Sequence, residues 1–322
     1  MRTMFLKEMK FAFPLSQLKS RAILSPMAGV TDVAFRALAV KYGAGLTCTE
    51  FVHGTAIMHD NRATKEILQT DPSEKPVAVQ LFGASVEDVV AAAKLVQNKF
   101  DIIDVNCGCP AWKVIKTGAG SQMLREPQKI SEFVRRLVES VDKPVTVKIR
   151  TGIDENSINA IEVAKLVEAA GASAIAIHGR TQKQGYSGTA DWNLIRQVKQ
   201  AIKIPVIGNG DIFSPEDFKR HLDESGVDAI LIARGAIGNP AIFAQIREFM
   251  ETGTYKEYNK IEQFFEYLAL AKKYKIGFAT IKSQAVSFTK GMIGGARVRE
   301  KLATTKSISE LEEILAPLRQ NY

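Results

Sequence analysis

The chain is poor in the features that mark secreted, membrane-spanning or metal-scaffolded proteins. It has three cysteines in 322 residues, Cys48, Cys107 and Cys109. That is too few for a disulfide framework and leaves one thiol over in any pairing, so a cytoplasmic setting is expected. No uninterrupted apolar run approaches the ~20 residues that a membrane-spanning helix needs. The opening run MRTMFLKEMKFAF is broken by Lys7, Glu8 and Lys10 and lacks the apolar centre of a secretory leader. Cys107 and Cys109 stand two apart, but no further Cys or His follows nearby, and His178 alone does not complete a zinc site. No metal is expected. No Gly-rich dinucleotide fingerprint follows the first strand-like run, which counts against a doubly wound open sheet.

What remains is a soluble, globular composition, 46% apolar and 24% charged. The length allows one large domain and a small one. The formal charge of +8 fits a polyanionic partner without requiring one.

Eight short β-rich runs recur: 22–29, 45–51, 76–83, 102–108, 144–150, 174–180, 205–211 and 229–235. Amphipathic helical patterns such as SVEDVVAAAKLVQN and NAIEVAKLVEAAG lie between many of them. Strands alternating with helices imply a parallel sheet, and eight units in about 250 residues is the size of a closed barrel. The expected fold is α/β, a (β/α)8 TIM barrel over residues 1–250, followed by a small all-helical domain over 251–322.

Strand residues alternate faces, which sorts the side chains. Val145, Val147 and Ile149 share one face; Thr146, Lys148 and Arg150 share the other. Ile175 and Ile177 oppose Ala174, Ala176, His178 and Arg180. The apolar faces should meet the helices, so the polar ones must point into the barrel, joined by Gln80, Asp104, Asn106, Asn209 and Asp211. Most lie at the C-terminal ends of their strands, the active-site rim of this fold. Interior ion pairs such as Arg150 or Arg180 with Asp104 are the ordinary explanation; the clustering at strand ends favours a ligand.

The last two strand-like runs lead into Gly208-Asn-Gly-Asp211 and Ala233-Arg-Gly-Ala-Ile-Gly-Asn-Pro240. Gly208, Gly210, Gly235 and Gly238 permit close backbone approach, Arg234 adds a charge, and a helix starting near Gly238 would point its positive end the same way. Barrels commonly grip a phosphate at these loops. With Lys148, Gln80 and Asn106 inside, a phosphorylated planar cofactor is expected, and FMN suits the set. Finally, Ile102-Ile-Asp-Val-Asn-Cys-Gly-Cys-Pro-Ala111 runs from a buried strand into a turn that puts a thiol at the barrel mouth. Cys109 there is a nucleophile, a proton donor, a metal ligand or core filling. Cys107, on the strand face opposite Asn106, and Cys48 read as packed thiols, and Glu50 as a residue that could line the site. His53, His59 and His221 carry no motif and read as loop or surface residues.

Taken together, SPMAGVTDVAFR (25–36), QLFG (80–83), DVNCGCP (104–110), VKIRTG (147–152), IHGRT (177–181), GNGDI (208–212) and ARGAIGNP (233–240) resemble the tRNA-dihydrouridine synthases. The resemblance implies an FMN-binding barrel with a helical domain that grips tRNA. The implied activity is reduction of the uridine C5=C6 bond, with NADPH recharging the flavin. By position, it places Pro26, Met27 and Ala28 beside the isoalloxazine. Gln80, Lys148, His178 and Asn209 fall on the cofactor, and Gly210, Asp211, Arg234 and Gly235 near its phosphate. Asn106 and Arg150 fall on the uracil, Arg180, Lys290 and Arg297 on the RNA substrate, and Cys109 becomes the catalytic acid.

In the tail, residues 255–322, twelve Lys and Arg stand against seven Glu, which accounts for five of the eight net charges. The segment NKIEQFFEYLALAKKY reads as an amphipathic helix, and Ser307-Ile-Ser-Glu310 as a capping box opening a last one. Lys272, Lys273, Lys275, Lys282, Lys290, Arg297, Arg299, Lys301 and Lys306 are candidate phosphate contacts. The run FTKGMIGGARVREKL resembles the family's Lys-Gly segment, whereas IKSQAVSF lacks the basic-His-aromatic cluster many members carry there. Two other classes predict different observations. A barrel acting on a free pyrimidine, like a dihydroorotate dehydrogenase, needs no basic tail, and a redox-inactive tRNA binder would be colourless. No obligatory protein partner is evident.

Overall fold

The computed structural model describes residues 12–59 and 61–320, so the expectation made of the first thirteen residues lies almost wholly outside it. Nine strands are described: β1 (Ala22–Leu24), β2 (Thr47–Cys48), β3 (Val52–His53), β4 (Val77–Phe82), β5 (Ile102–Cys107), β6 (Val145–Arg150), β7 (Ala174–His178), β8 (Val206–Asn209) and β9 (Ala229–Ile232). All pairings between them are parallel, in the order β1, β9, β8, β7, β6, β5, β4, β2, with β3 on the far end of β4. The ring closes where Gly45 N–H donates to Ala22 O (2.9 Å) and Leu24 N–H to Leu46 O (3.0 Å). The eight-strand TIM-barrel architecture is as expected. The second run differs in one respect, being split into β2 and β3. At the break the Thr49 hydroxyl takes a ladder position, accepting from Gln80 N–H (3.2 Å).

Face alternation divides two cores. Val145, Val147, Ile149, Ile175 and Ile177 join the large cluster beneath the helices. Ile23, Leu46, Cys48, Ala78, Ile102, Ala174, Ala176, Ile207, Ala229 and Leu231 form a separate cluster inside the barrel, with Phe13 packed against it. Four of those ten interior strand-side residues are alanines, so the lower barrel fills without crowding the polar layer above it. Cys107 belongs to the outer cluster, with its Sγ 3.7 Å from Met123 Sδ.

The helix Ile242–Thr252 runs across residue 250 and ends at Gly253, in a left-handed conformation (φ +79°). Four helices follow: Lys260–Lys273, Phe278–Phe288, Gly295–Thr304 and Ile308–Leu315. The last opens on Ser307, whose Oγ accepts from Glu310 N–H (3.3 Å), the expected cap. This tail is bonded to the barrel near the loop after β1. Tyr267 Oη donates to Asp32 Oδ2 (2.9 Å), Tyr42 Oη to Glu266 (2.9 Å), and Gln284 Nε2 to Val30 O (2.8 Å). Among the described residues no helix is long and apolar enough to cross a membrane, and no three His, Cys, Asp or Glu side chains stand together to hold a metal.

Candidate active site

Above the apolar layer the inward positions turn polar, and the strand ends open into a cavity of about 500 Å³. Its lining brings together Pro26, Met27 and Ala28 from the loop after β1, with Gln80, Asn106, Cys109, Lys148, Arg150 and His178 from β4 to β7. Asn209, Gly210, Asp211 and Arg234 complete it from the loops after β8 and β9. Thirteen of the residues singled out in the sequence therefore share one cleft. Gly235 lies just outside the lining, and Arg180, Lys290 and Arg297 are not part of it.

A chain of hydrogen bonds sets the floor. Asp104 Oδ2 accepts from Gln80 Nε2 (2.7 Å), Gln80 Oε1 from Asn106 Nδ2 (2.7 Å), and Asn106 Oδ1 from the N–H groups of Gly108 (3.1 Å) and Cys109 (2.9 Å). Asp104 also accepts from the Thr146 hydroxyl. The carboxylate thus fixes which way both amides point, leaving each with one spare N–H for the cleft. Ion pairing of Asp104 with Arg150 or Arg180, the ordinary explanation above, is absent. Burial raises the Asp104 carboxyl above its usual range, against the pull of Thr146, Gln80 and Lys148.

Cys109 is half-buried just past β5. Besides the Asn106 contact, its carbonyl accepts from Ser121 N–H (3.0 Å) and Oγ–H (2.9 Å). Gly120 is required at its back: at φ +63°, an added Cβ would lie 2.7 Å from Cys109 O. Burial raises the thiol pKa, opposed by the Ala111 N–H and by Arg150 and Lys148. Lys148 donates to Asn209 Oδ1 (3.2 Å), and burial, then Arg150, pulls its pKa down to about 8. His178, buried among Lys148, Arg150, Arg180 and Arg234, is pulled down to about 2 and stays neutral across the working range. Arg150 spends three donor contacts on the carbonyls of Gly108, Thr181 and Gly185, which ties the loops after β5 and β7 together while its face borders the cleft.

Arg180, expected at the substrate, has its fork occupied elsewhere. It grips Asp211 through Nη1 (2.8 Å) and Nη2 (2.8 Å) and donates to the carbonyls of Ser187 and Gly188. Asp211, itself left-handed at φ +53°, also accepts from Arg234 Nη2 (2.7 Å). Burial alone would raise the Asp211 carboxyl; Arg180, the Ala190 N–H and Arg234 together bring it below the usual range. Arg234 lies between two rings, 4.8 Å from Tyr186 and 5.3 Å from Phe213. Asp211→Ala would strand a fully buried guanidinium, so unfolding in denaturant should show a loss of about 3 kcal/mol. A change below about 0.5 kcal/mol, the size of an ordinary surface substitution, would contradict the clamp.

The glycines divide in a way the sequence did not indicate. Gly210 (φ +135°) lines the cleft, and a Cβ there would strike Ala190 Cβ at 2.4 Å. Gly235 lets the loops after β8 and β9 meet, its missing Cβ lying 2.1 Å from Ile212 O. Gly208 makes room instead for the Trp192 ring (2.4 Å), and Gly238 for the backbone of Ser287 (2.3 Å) in the tail. The helix expected near Gly238 begins only at Ile242, beyond Pro240. Glu50 stays off the lining and accepts from Gly29 N–H (2.7 Å), steadying the loop after β1. Phe51, Tyr186 and Phe213 line the cleft without having been singled out. Only the placing of large aromatics between polar and Gly-rich loop residues marked them.

A polar cleft at the C-terminal mouth of a closed parallel barrel, with a thiol in its wall and a half-buried Lys at its floor, defines a TIM-barrel enzyme. The family described as dihydrouridine synthase matches residues 23–320, and the chain belongs to that family. It is 38% identical over 306 residues to the probable tRNA-dihydrouridine synthase 1 of Synechocystis sp., covering 92% of this chain and 86% of that protein. To the tRNA-dihydrouridine synthase B of Pseudomonas putida it is 44% identical over 241 residues, covering 74% of this chain and 71% of that one. Histamine dehydrogenase from Rhizobium sp. 4-9 shares the fold at a TM-score of 0.54 and 15% identity, over 79% of this chain and 49% of that one.

Proposed function

We propose that this protein reduces the C5=C6 bond of uridines in tRNA, with FMN in the cleft and NADPH as reductant. The observation that carries the reading is the half-buried Cys109 thiol sharing one cleft with Lys148, in a family whose relatives are named tRNA-dihydrouridine synthases.

The cleft residues suit FMN. Gln80, Asn106 and Lys148 supply donors at the inner end, where a ring edge rich in acceptors would sit. Gly210, Gly235 and Arg234 lie where a phosphate would be held, with Asp211 and Arg180 positioning Arg234. A volume of about 500 Å³ lies within the range of cofactor pockets. Bound there, FMN would supply the hydride for uracil C6. Cys109 Sγ–H gives the proton to C5, so one hydride and one proton add across the double bond. A thiol whose pKa is raised by burial is protonated at neutral pH and fits an acid rather than a nucleophile. The cationic side chains of Lys148 and Arg150 offset negative charge building on the uracil carbonyl. A uridine in folded RNA must leave its stack to reach this depth.

We assign the segment after Gly253 to tRNA binding. Lys272 pairs with Glu312, Lys273 with Asp71, Lys282 with the carbonyls of Ala303 and Thr305, and Arg299 with Thr289 O. Lys275, Lys290, Arg297, Lys301 and Lys306 are exposed and have no such partner among the described residues, which makes them the cations available to phosphates.

The Lys148 pKa near 8 sets a pH dependence. An electron-rich flavin edge favours the ammonium form, so affinity of the apoprotein for FMN should fall as pH rises through about 8. Neutral His178 should add no inflection of its own in the range where an unperturbed His titrates. Flavin fluorescence titrations read both, and an affinity flat through that range would remove the Lys148 charge from the contact. The function itself is tested by mass spectrometry of tRNA from cells lacking this protein. One dihydrouridine position should revert to uridine; an unchanged pattern, with no second enzyme acting at the site, would reject the reading.

A further inference from the structure

We propose that Trp112 is a stacking platform for an RNA base next to the uridine that enters the cleft, an inference that rests on the tRNA reading above. Among the described residues eight large hydrophobic side chains are exposed, and three of them, Trp112, Tyr186 and Phe213, stand at this one cleft or on a loop leading out of it. Tyr186 and Phe213 are engaged with Arg234. Trp112 is 73% exposed and touches no ring or cation among the described residues. It follows Cys109, Pro110 and Ala111, all of which line the cleft.

Its orientation is built in. Trp112 opens the four-residue helix Trp112–Ile115, whose buried Val114 packs tightly behind it: a Cβ on Gly120 would come within 2.8 Å of Val114 Cγ1. At about 100° per residue, Trp112 points away from Val114, while Lys116, four residues on, shares its face. Lys113 and Lys116 are both exposed. An indole beside two ammonium groups, with no acidic partner bonded to either, fits a base and its flanking phosphates. Free energy supplies the motive: extracting one uridine leaves its neighbours unstacked, and an aromatic face at the mouth restores a stack.

The chain has only two tryptophans, and Trp192 is buried and stacked on His221 at 4.3 Å, so the exposed indole emission belongs to Trp112. Unmodified tRNA transcript titrated into the flavin-loaded protein should quench and blue-shift that emission, and the Trp112→Phe protein, reporting Trp192 alone, should show no such change. Trp112→Ala should raise KM for tRNA roughly tenfold, the size of a lost base stack, and Trp112→Phe should recover most of it. Flavin content checks that each variant is folded. Emission unmoved by saturating tRNA, or an unchanged KM in Trp112→Ala, would overturn the inference while wild-type dihydrouridine formation stood. Emission that responds to protein concentration and not to tRNA would overturn it in favour of contact between copies. Absence of dihydrouridine formation by the wild type would instead reject the functional reading.

Discussion

Cys109→Ala should lower uridine turnover by a factor of about 10²–10⁴, the usual worth of one positioned acid. The loss should fall on kcat, because the side chain ends in the cleft wall and, the Ala111 N–H apart, carries none of the hydrogen bonds that build the turn. Those run through the backbone of Cys109 to Asn106 and Ser121 and survive the substitution. Flavin content and tRNA affinity should therefore remain at parental levels. Cys109→Ser discriminates further, since a hydroxyl keeps the shape but is a much weaker acid than the thiol. It should stay closer to the alanine variant than to the parent. Near-normal rates in Cys109→Ala, measured as dihydrouridine formed per enzyme at saturating tRNA, would remove the thiol from its role.

Lys148→Met should lower turnover by about 10²–10³, comparable to removal of one preorganised donor from an active site. The opposite should hold for stability. Lys148 is half-buried, desolvation pulls its pKa down to about 8, and Met fills similar volume without the cost of desolvating an ammonium. Asn209 Oδ1 loses one donor, but its Nδ2 remains bonded to Leu231 O (2.9 Å). Compared as apoproteins, the variant should thus unfold at a temperature equal to or above that of the parent, while the variant loses flavin and activity together. A clear drop in melting temperature with turnover retained would make Lys148 a structural residue.

Much of this was legible in the sequence because barrels obey period-2 alternation. Thr146, Lys148 and Arg150 could be set apart from Val145, Val147 and Ile149 by counting, and the outward thiol of Cys107 followed from the inward Asn106. Competition for the same donors was not legible. Arg180 sits one strand period from His178 and reads as another cleft cation, yet Asp211 and two carbonyls claim its fork. Which glycine serves a ligand and which a neighbouring element also depends on tertiary approach. Gly208 and Gly210 lie two apart, but one clears Trp192 and the other faces the cleft. The helix that crosses residue 250 was split because composition changes after the helix, while its end is set by Gly253.

Hydrogenation of uridine within tRNA is the activity proposed for the Cys109 cleft. It is tested most directly by supplying purified flavin-loaded protein with NADPH and an unmodified tRNA transcript, then sequencing the product by mass spectrometry. One or a few specific uridines should gain the mass of two hydrogens, at a rate that collapses in Cys109→Ala. NADPH consumed with no mass gain on any uridine, or equal gain in the Cys109→Ala protein, would contradict it.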